Sequence, residues 1–179
     1  MSMFDYWTRK HAVPASPSQT RSAELPTDMD ALWSNMSHQF DVMSLQNARV
    51  SLLGFDAPTR ARLVEICVML NVASCSETAD LQMLSEEPTG LGEGDVIVLN
   101  FDAFRDIGCA VDTLRKFRQR APKVAVILVS SAVRGDDLGR ERAPICDVTL
   151  RAPVTLPRLK EALRTSVSNV GAGVEATLH

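Results

Sequence analysis

Asp95-Val-Ile-Val-Leu-Asn100 is the stretch on which the fold of this 179-residue chain turns. A strand with one wet face alternates polar and apolar residues. Here Val96, Ile97, Val98 and Leu99 run unbroken, which predicts a strand covered on both faces, as in a parallel sheet between helical layers. The flanking sequence repeats the theme. Upstream, residues 50–53 read as a short strand, and Pro58 opens a helix with Leu63, Val64, Cys67 and Leu70 on one side, ended at Asn71. Residues 72–75 follow as a second, weaker strand, and residues 78–84 as a short helix before the glycine-rich loop 86–94. Downstream, a helix from Gly108 to Arg120 turns Val111, Leu114 and Phe117 inward. Residues 124–129 form the fourth strand, 130–142 a charged stretch expected to hold one short helix, and 147–150 the fifth strand. Thr155 is placed to cap a last helix over 156–167. Five β–α units joined by helical crossovers imply a doubly wound, five-stranded parallel α/β sheet.

Composition excludes several classes of function. With 45% hydrophobic and 23% charged residues the chain has material for a core, and its net charge of −3 lacks the basic field of a nucleic-acid binder. No run approaches the 18–20 apolar residues that span a bilayer, and the N-terminus lacks the basic flank and apolar stretch of a signal peptide. No membrane partner is expected, and a cytoplasmic location is. Cys67, Cys75, Cys109 and Cys146 stand apart without a CxxC pair and read as small buried residues, and His11, His38 and His179 lie outside the β–α region, so no metal and no cofactor are expected.

The domain plan has four parts. Residues 1–26, rich in Pro, Ser and Thr, read as a flexible segment. Residues 27–46 read as an amphipathic helix, capped by Thr27, with Met29, Leu32, Trp33, Met36, Phe40 and Met43 on one stripe. That stripe requires a cover: its own domain, a second copy or a partner's groove. Residues 49–168 make the β–α domain, and 169–179 a flexible tail.

The segments 95–100 and Cys146-Asp-Val-Thr-Leu-Arg-Ala-Pro153, with the order and spacing of the elements between, give residues 49–167 a likeness to a known family. The chain resembles the receiver domains of bacterial response regulators. That resemblance implies a flavodoxin-like sheet of order 2-1-3-4-5, with the site at the carboxyl ends of the strands. Receivers bind Mg²⁺ through two acids after the first strand and an aspartate ending the third, which accepts a phosphoryl group. A hydroxyl after the fourth strand and a lysine after the fifth hold the phosphoryl oxygens. Here the acids fall on Gly54 and Phe55, the phosphoacceptor on Asn100, the hydroxyl on Ser130 and the lysine on Arg151. Without carboxylates the hard Mg²⁺ ion loses its ligands, and an amide is a poor nucleophile, so Asn100 forms no acyl phosphate. Arg151 is expected to swing outward or to pair with Asp56 or Asp102. Those two acids lie near the vacated places. They are read as a helix cap (Asp56) and a loop or cap residue (Asp102), with a weak cation site as the alternative. The family's aromatic switch position falls on Val148 or Thr149.

The resemblance therefore implies a degenerate, phosphorylation-independent pseudo-receiver. It would be a non-enzymatic protein–protein interaction module in two-component signalling, with a histidine kinase, phosphotransferase, regulator or localisation factor as partner and a homodimer as its expected state. Arg134, Asp137 and Arg140 on the expected fourth helix, with Arg158 and Arg164 on the last, are candidate interaction residues. The alternative is a small-ligand or nucleotide-binding module using the same cleft, although no phosphate loop follows the first strand. An enzyme would need a base and a nucleophile, and the cleft offers only Ser130 without a histidine.

Overall fold

The computed structural model describes residues 45–78, 84–85 and 90–175. The elements run β1 (Arg49–Leu53), α1 (Ala57–Met69), β2 (Ser74–Thr78), β3 (Asp95–Asn100), a 3-10 turn (Phe101–Ala103), α2 (Ile107–Arg120), β4 (Ala125–Ser130), β5 (Val148–Arg151) and α3 (Leu156–Glu175). All strand pairs are parallel, in the order β2-β1-β3-β4-β5, so the expected flavodoxin-like sheet is present.

The β3 run works as its composition demands. Val96 and Val98 enter a core with α1 and α3, through Leu63, Ile66, Leu159 and Leu163. Ile97 and Leu99 enter the opposite core, with Leu114 and Phe117 of α2. Side-chain period two thus feeds two layers from one strand, and each fully buried Leu or Ile adds about 1.5–3 kcal/mol of transfer free energy. Burial is uniform along β4 as well.

Local chemistry sets the ends. Asp56 caps α1, its Oδ1 accepting from Thr59 N at 2.9 Å, and Asp106 caps α2 by accepting from the Gly108 and Cys109 N–H groups. Asn71 takes φ 55° just past α1, a left-handed position that asparagine tolerates better than most residues. Arg118 reaches back from the end of α2 and grips both carboxylate oxygens of buried Asp147, at 2.9 and 3.1 Å. Asp147 also accepts from Val126 N at 2.8 Å, joining helix, β4 and the approach to β5.

Four expectations need correction. The second strand lies at Ser74–Thr78 rather than 72–75, because Val72 is spent closing α1, its N–H donating to Cys67 O at 3.3 Å. No helix forms over residues 131–147. Asp136 and Asp137 instead bond to neighbouring strand and loop backbone, including a bridge in which Asp137 and Thr149 exchange both backbone hydrogen bonds at 2.8 Å. The last helix does not stop near 167 but continues to Glu175, across much of the tail expected to be flexible. Cysteine is not uniformly a buried small residue either: Cys67 and Cys146 are, but Cys109 is exposed. The 1–26 segment and the stripe Met29, Leu32, Trp33, Met36, Phe40 and Met43 lie outside the described residues, as does most of the 78–84 helix.

Candidate functional site

The carboxyl ends of β1, β3, β4 and β5 open onto one cleft of about 750 Å³. Its walls include Phe55, Leu63, Val129, Pro153 and Val154, and Asp56, Thr59, Arg62, Asn100, Asp102 and Ser131 are its polar lining.

Gly54 leaves β1 with φ 73°, a conformation open to glycine and costly to a residue with a Cβ. That turn presents the Gly54 carbonyl to Asn100 Nδ2 at 3.0 Å. The other end of the same amide, Oδ1, accepts from Asp102 N at 3.2 Å and caps the 3-10 turn. Asn100 therefore ties the β1 and β3 loops together with a donor and an acceptor at once. A carboxylate has only acceptors and would face the Gly54 carbonyl with repulsion. Phe55 is buried, in the same core cluster as Leu63 and Val154.

Both acids expected near the vacated places line the cleft, each with its own role. Asp56 is the α1 cap, and the Thr59 hydroxyl and N–H hold its carboxyl below the usual range. Asp102 reaches from the 3-10 turn to the end of β4. Its Oδ1 accepts from Ser130 Oγ at 2.5 Å and its Oδ2 from Ser131 N at 2.7 Å. Burial pushes the Asp102 carboxyl up, but these hydrogen bonds outweigh it and hold the group below its ordinary value. Ser130 Oγ also accepts from Ala132 N at 3.1 Å, so its one proton is committed to Asp102.

The Asp102–Ser130 contact was missed in the sequence reading, although strand register carries it. Asn100 pairs with Val129 across β3 and β4, so a residue two beyond one stands near a residue one beyond the other. Among the described residues no group of three or more His, Cys, Asp or Glu is arranged to hold a metal ion. Gly54, Phe55 and Asn100 supply no carboxylate, Asp56 caps a helix and Asp102 is taken up by two donors. The residues present do not fit a magnesium ion.

Arg151 turns away from the cleft. Its N–H donates to Asp136 Oδ1 at 2.8 Å and its Nη1 to Arg134 O at 3.2 Å, so it pairs with neither Asp56 nor Asp102. Ala152, joined to Pro153 by a cis peptide, lines the cleft instead. Arg158 holds the neighbourhood together. It forks onto both oxygens of Asp136 and donates to the carbonyls of Arg151 and Pro153 at 2.6 and 2.7 Å.

The remaining candidates spread over the 131–147 segment and α3. Asp137 pairs with Arg142 at 3.3 Å, Arg140 donates to Asn169 O at 3.2 Å, and Arg164 meets Glu161 at 3.5 Å. Val148 and Thr149 are both buried.

No family model matches this chain, and no curated protein matches it in sequence. Solved structures do match. A provisionally named pilus assembly-related protein of Burkholderia pseudomallei K96243 superposes with a TM-score of 0.52 at 16% identity, over 70% of this chain and 92% of that one. At that identity the likeness is one of fold alone. The sugar isomerase domain of an RpiR transcription factor from Sphaerobacter thermophilus gives 0.38 at 15% identity, covering 81% of this chain and 86% of that one. The Vibrio vulnificus NanR protein complexed with ManNAc-6P gives 0.38 at 12%, covering 83% and 65%. Neither of these two bears on function.

Proposed function

We propose that the chain is a phosphorylation-independent pseudo-receiver, a regulatory module that works by binding another signalling protein and carries no enzymatic activity. One observation supports this reading above the others. The groups at the mouth of the sheet satisfy one another: Asn100 bonds to Gly54, and Ser130 and Ser131 bond to Asp102. With its hydroxyl and amide taken, carboxylates missing at the three matching positions, and Asp56 and Asp102 engaged by their own donors, the cleft offers no cluster of free carboxylates to hold Mg²⁺ or to take up a phosphoryl group. The superposition on the Burkholderia pilus assembly-related protein is compatible with this reading as a likeness of fold. A kinase, phosphotransferase, regulator or localisation factor is the partner class, and a homodimer the working state. Among the described residues no helix is long and apolar enough to cross a membrane.

The test is incubation with acetyl phosphate and Mg²⁺, read by intact mass. The chain should gain no phosphoryl group, and Asn100→Asp alone should gain none either, since the paired acids are still missing. A phosphorylated wild-type chain overturns the proposal. Light scattering of the full chain checks the oligomer separately, with the mass of two copies expected.

A further inference from the structure

We infer that Asp102 is a tethered ligand: its carboxylate fills an oxyanion seat built by the Ser130 hydroxyl and the Ser131 N–H, and so sets the path of residues 131–136. The inference deepens the proposed function and rests on it in one respect, that this segment forms part of the surface a partner reads.

The seat has the features of an oxyanion site. Two donors from consecutive residues converge on two oxygens of one anionic group, at 2.5 and 2.7 Å. Charge-assisted hydrogen bonds of this length are about twice as strong as neutral ones. The donors belong to the end of β4, and the acceptor comes from another loop, 28 residues earlier for Ser130. Ser130 is buried, and its oxygen receives Ala132 N, which bends the chain back over the hydroxyl. The first three residues of the exit from β4 are therefore shaped around a carboxylate.

The far side of that exit is held by a second carboxylate. Asp136 accepts from Arg151 N and from the Arg158 guanidinium. Between these two anchors residues 131–136 form no helix that would give them a path. Their course then depends on whether the seat at their start is filled. An external oxyanion of carboxylate or phosphate type would suit the same two donors, but the tethered group, at high effective concentration, excludes it. An empty seat should accept such an ion.

The experiment uses the full chain, with Asp102→Ala and inorganic phosphate as the probe, and reads hydrogen–deuterium exchange by mass spectrometry. In the variant, exchange over residues 131–136 should rise about tenfold or more, the fold-change that follows the loss of a hydrogen bond to a charged group. Excess phosphate should slow it again, while leaving wild type unchanged. Variant exchange equal to wild type, or phosphate acting equally on both, overturns the inference. Should Asp102→Ala fail to fold, an NMR pH titration of wild type decides: the Ser131 amide proton must shift in step with the Asp102 carboxyl, and an unmoved amide overturns the idea. Phosphodonor labelling is independent of these readouts. A chain that accepts a phosphoryl group yet shows the Asp102-dependent exchange would lose the proposed function and keep the seat.

Discussion

Gly54 shows how one backbone angle can stand against a side chain at the end of a strand. Its φ of 73° turns the carbonyl toward Asn100, and any side chain at that position must adopt the same left-handed conformation. Gly54→Asp should therefore destabilise the chain by about 1–2 kcal/mol, the cost of a Cβ in that region, measured as a lower urea midpoint with an unchanged slope. The aspartate would still bring no magnesium affinity that calorimetry could detect, because Phe55 and Asn100 supply no second or third carboxylate. Asp147 poses the opposite problem, that of a buried charge. Burial pushes its carboxyl upward, and Arg118 counters with two hydrogen bonds. Arg118→Ala removes the counter-ion and leaves the carboxylate uncompensated. A loss of about 3–5 kcal/mol by chemical denaturation is expected.

Elements that lie deep in the sheet were legible in the sequence, and those that depend on distant partners were not. β3 and β4 declared themselves because continuous β-branched runs have few alternatives to a strand covered on both sides. The cap at Asp56 followed from local rules, and so did the start of the last helix after Thr155, whose carbonyl accepts from Leu159 N at 2.9 Å. Residues 131–147 misled, since a run of Arg, Asp, Glu and Gly with scattered apolar residues fits a short surface helix equally well. What decides against the helix is Arg158, some twenty residues downstream, which takes Asp136, together with the pairing of Asp137 to the backbone of Thr149. At the site, strand order alone places Gly54, Phe55 and Asn100 at the carboxyl ends of the strands, and all three line the cleft. The link from Asp102 to Ser130 depended on strand register, which single-residue matching does not use.

At the scale of the whole molecule, acid stability gathers these local carboxylates into one measurement. Asp136 is held low by its hydrogen bonds to Arg158, and Asp102 by donors at β4 that overcome burial. Both therefore ionise more readily folded than unfolded. The stability they add is complete above the unfolded carboxylate value near 3.9 and drains away as pH falls through their lower folded values. Thermal melts should drop steeply from about pH 4 downward, and Ser130→Ala should flatten part of that drop by removing the donor to Asp102. An acid limb identical in wild type and Ser130→Ala would show that Asp102 gains nothing from the hydroxyl. A different consequence follows from the bridge between Asp137 and Thr149, which occupies both main-chain groups of Thr149 on the outer side of β5. A sheet with a bare flank invites foreign strands to add on and seed fibres. Here the irregular segment serves as a bumper along that flank, and the charge beside it on Asp136 and Arg142 discourages close approach by a sticky, uncharged chain.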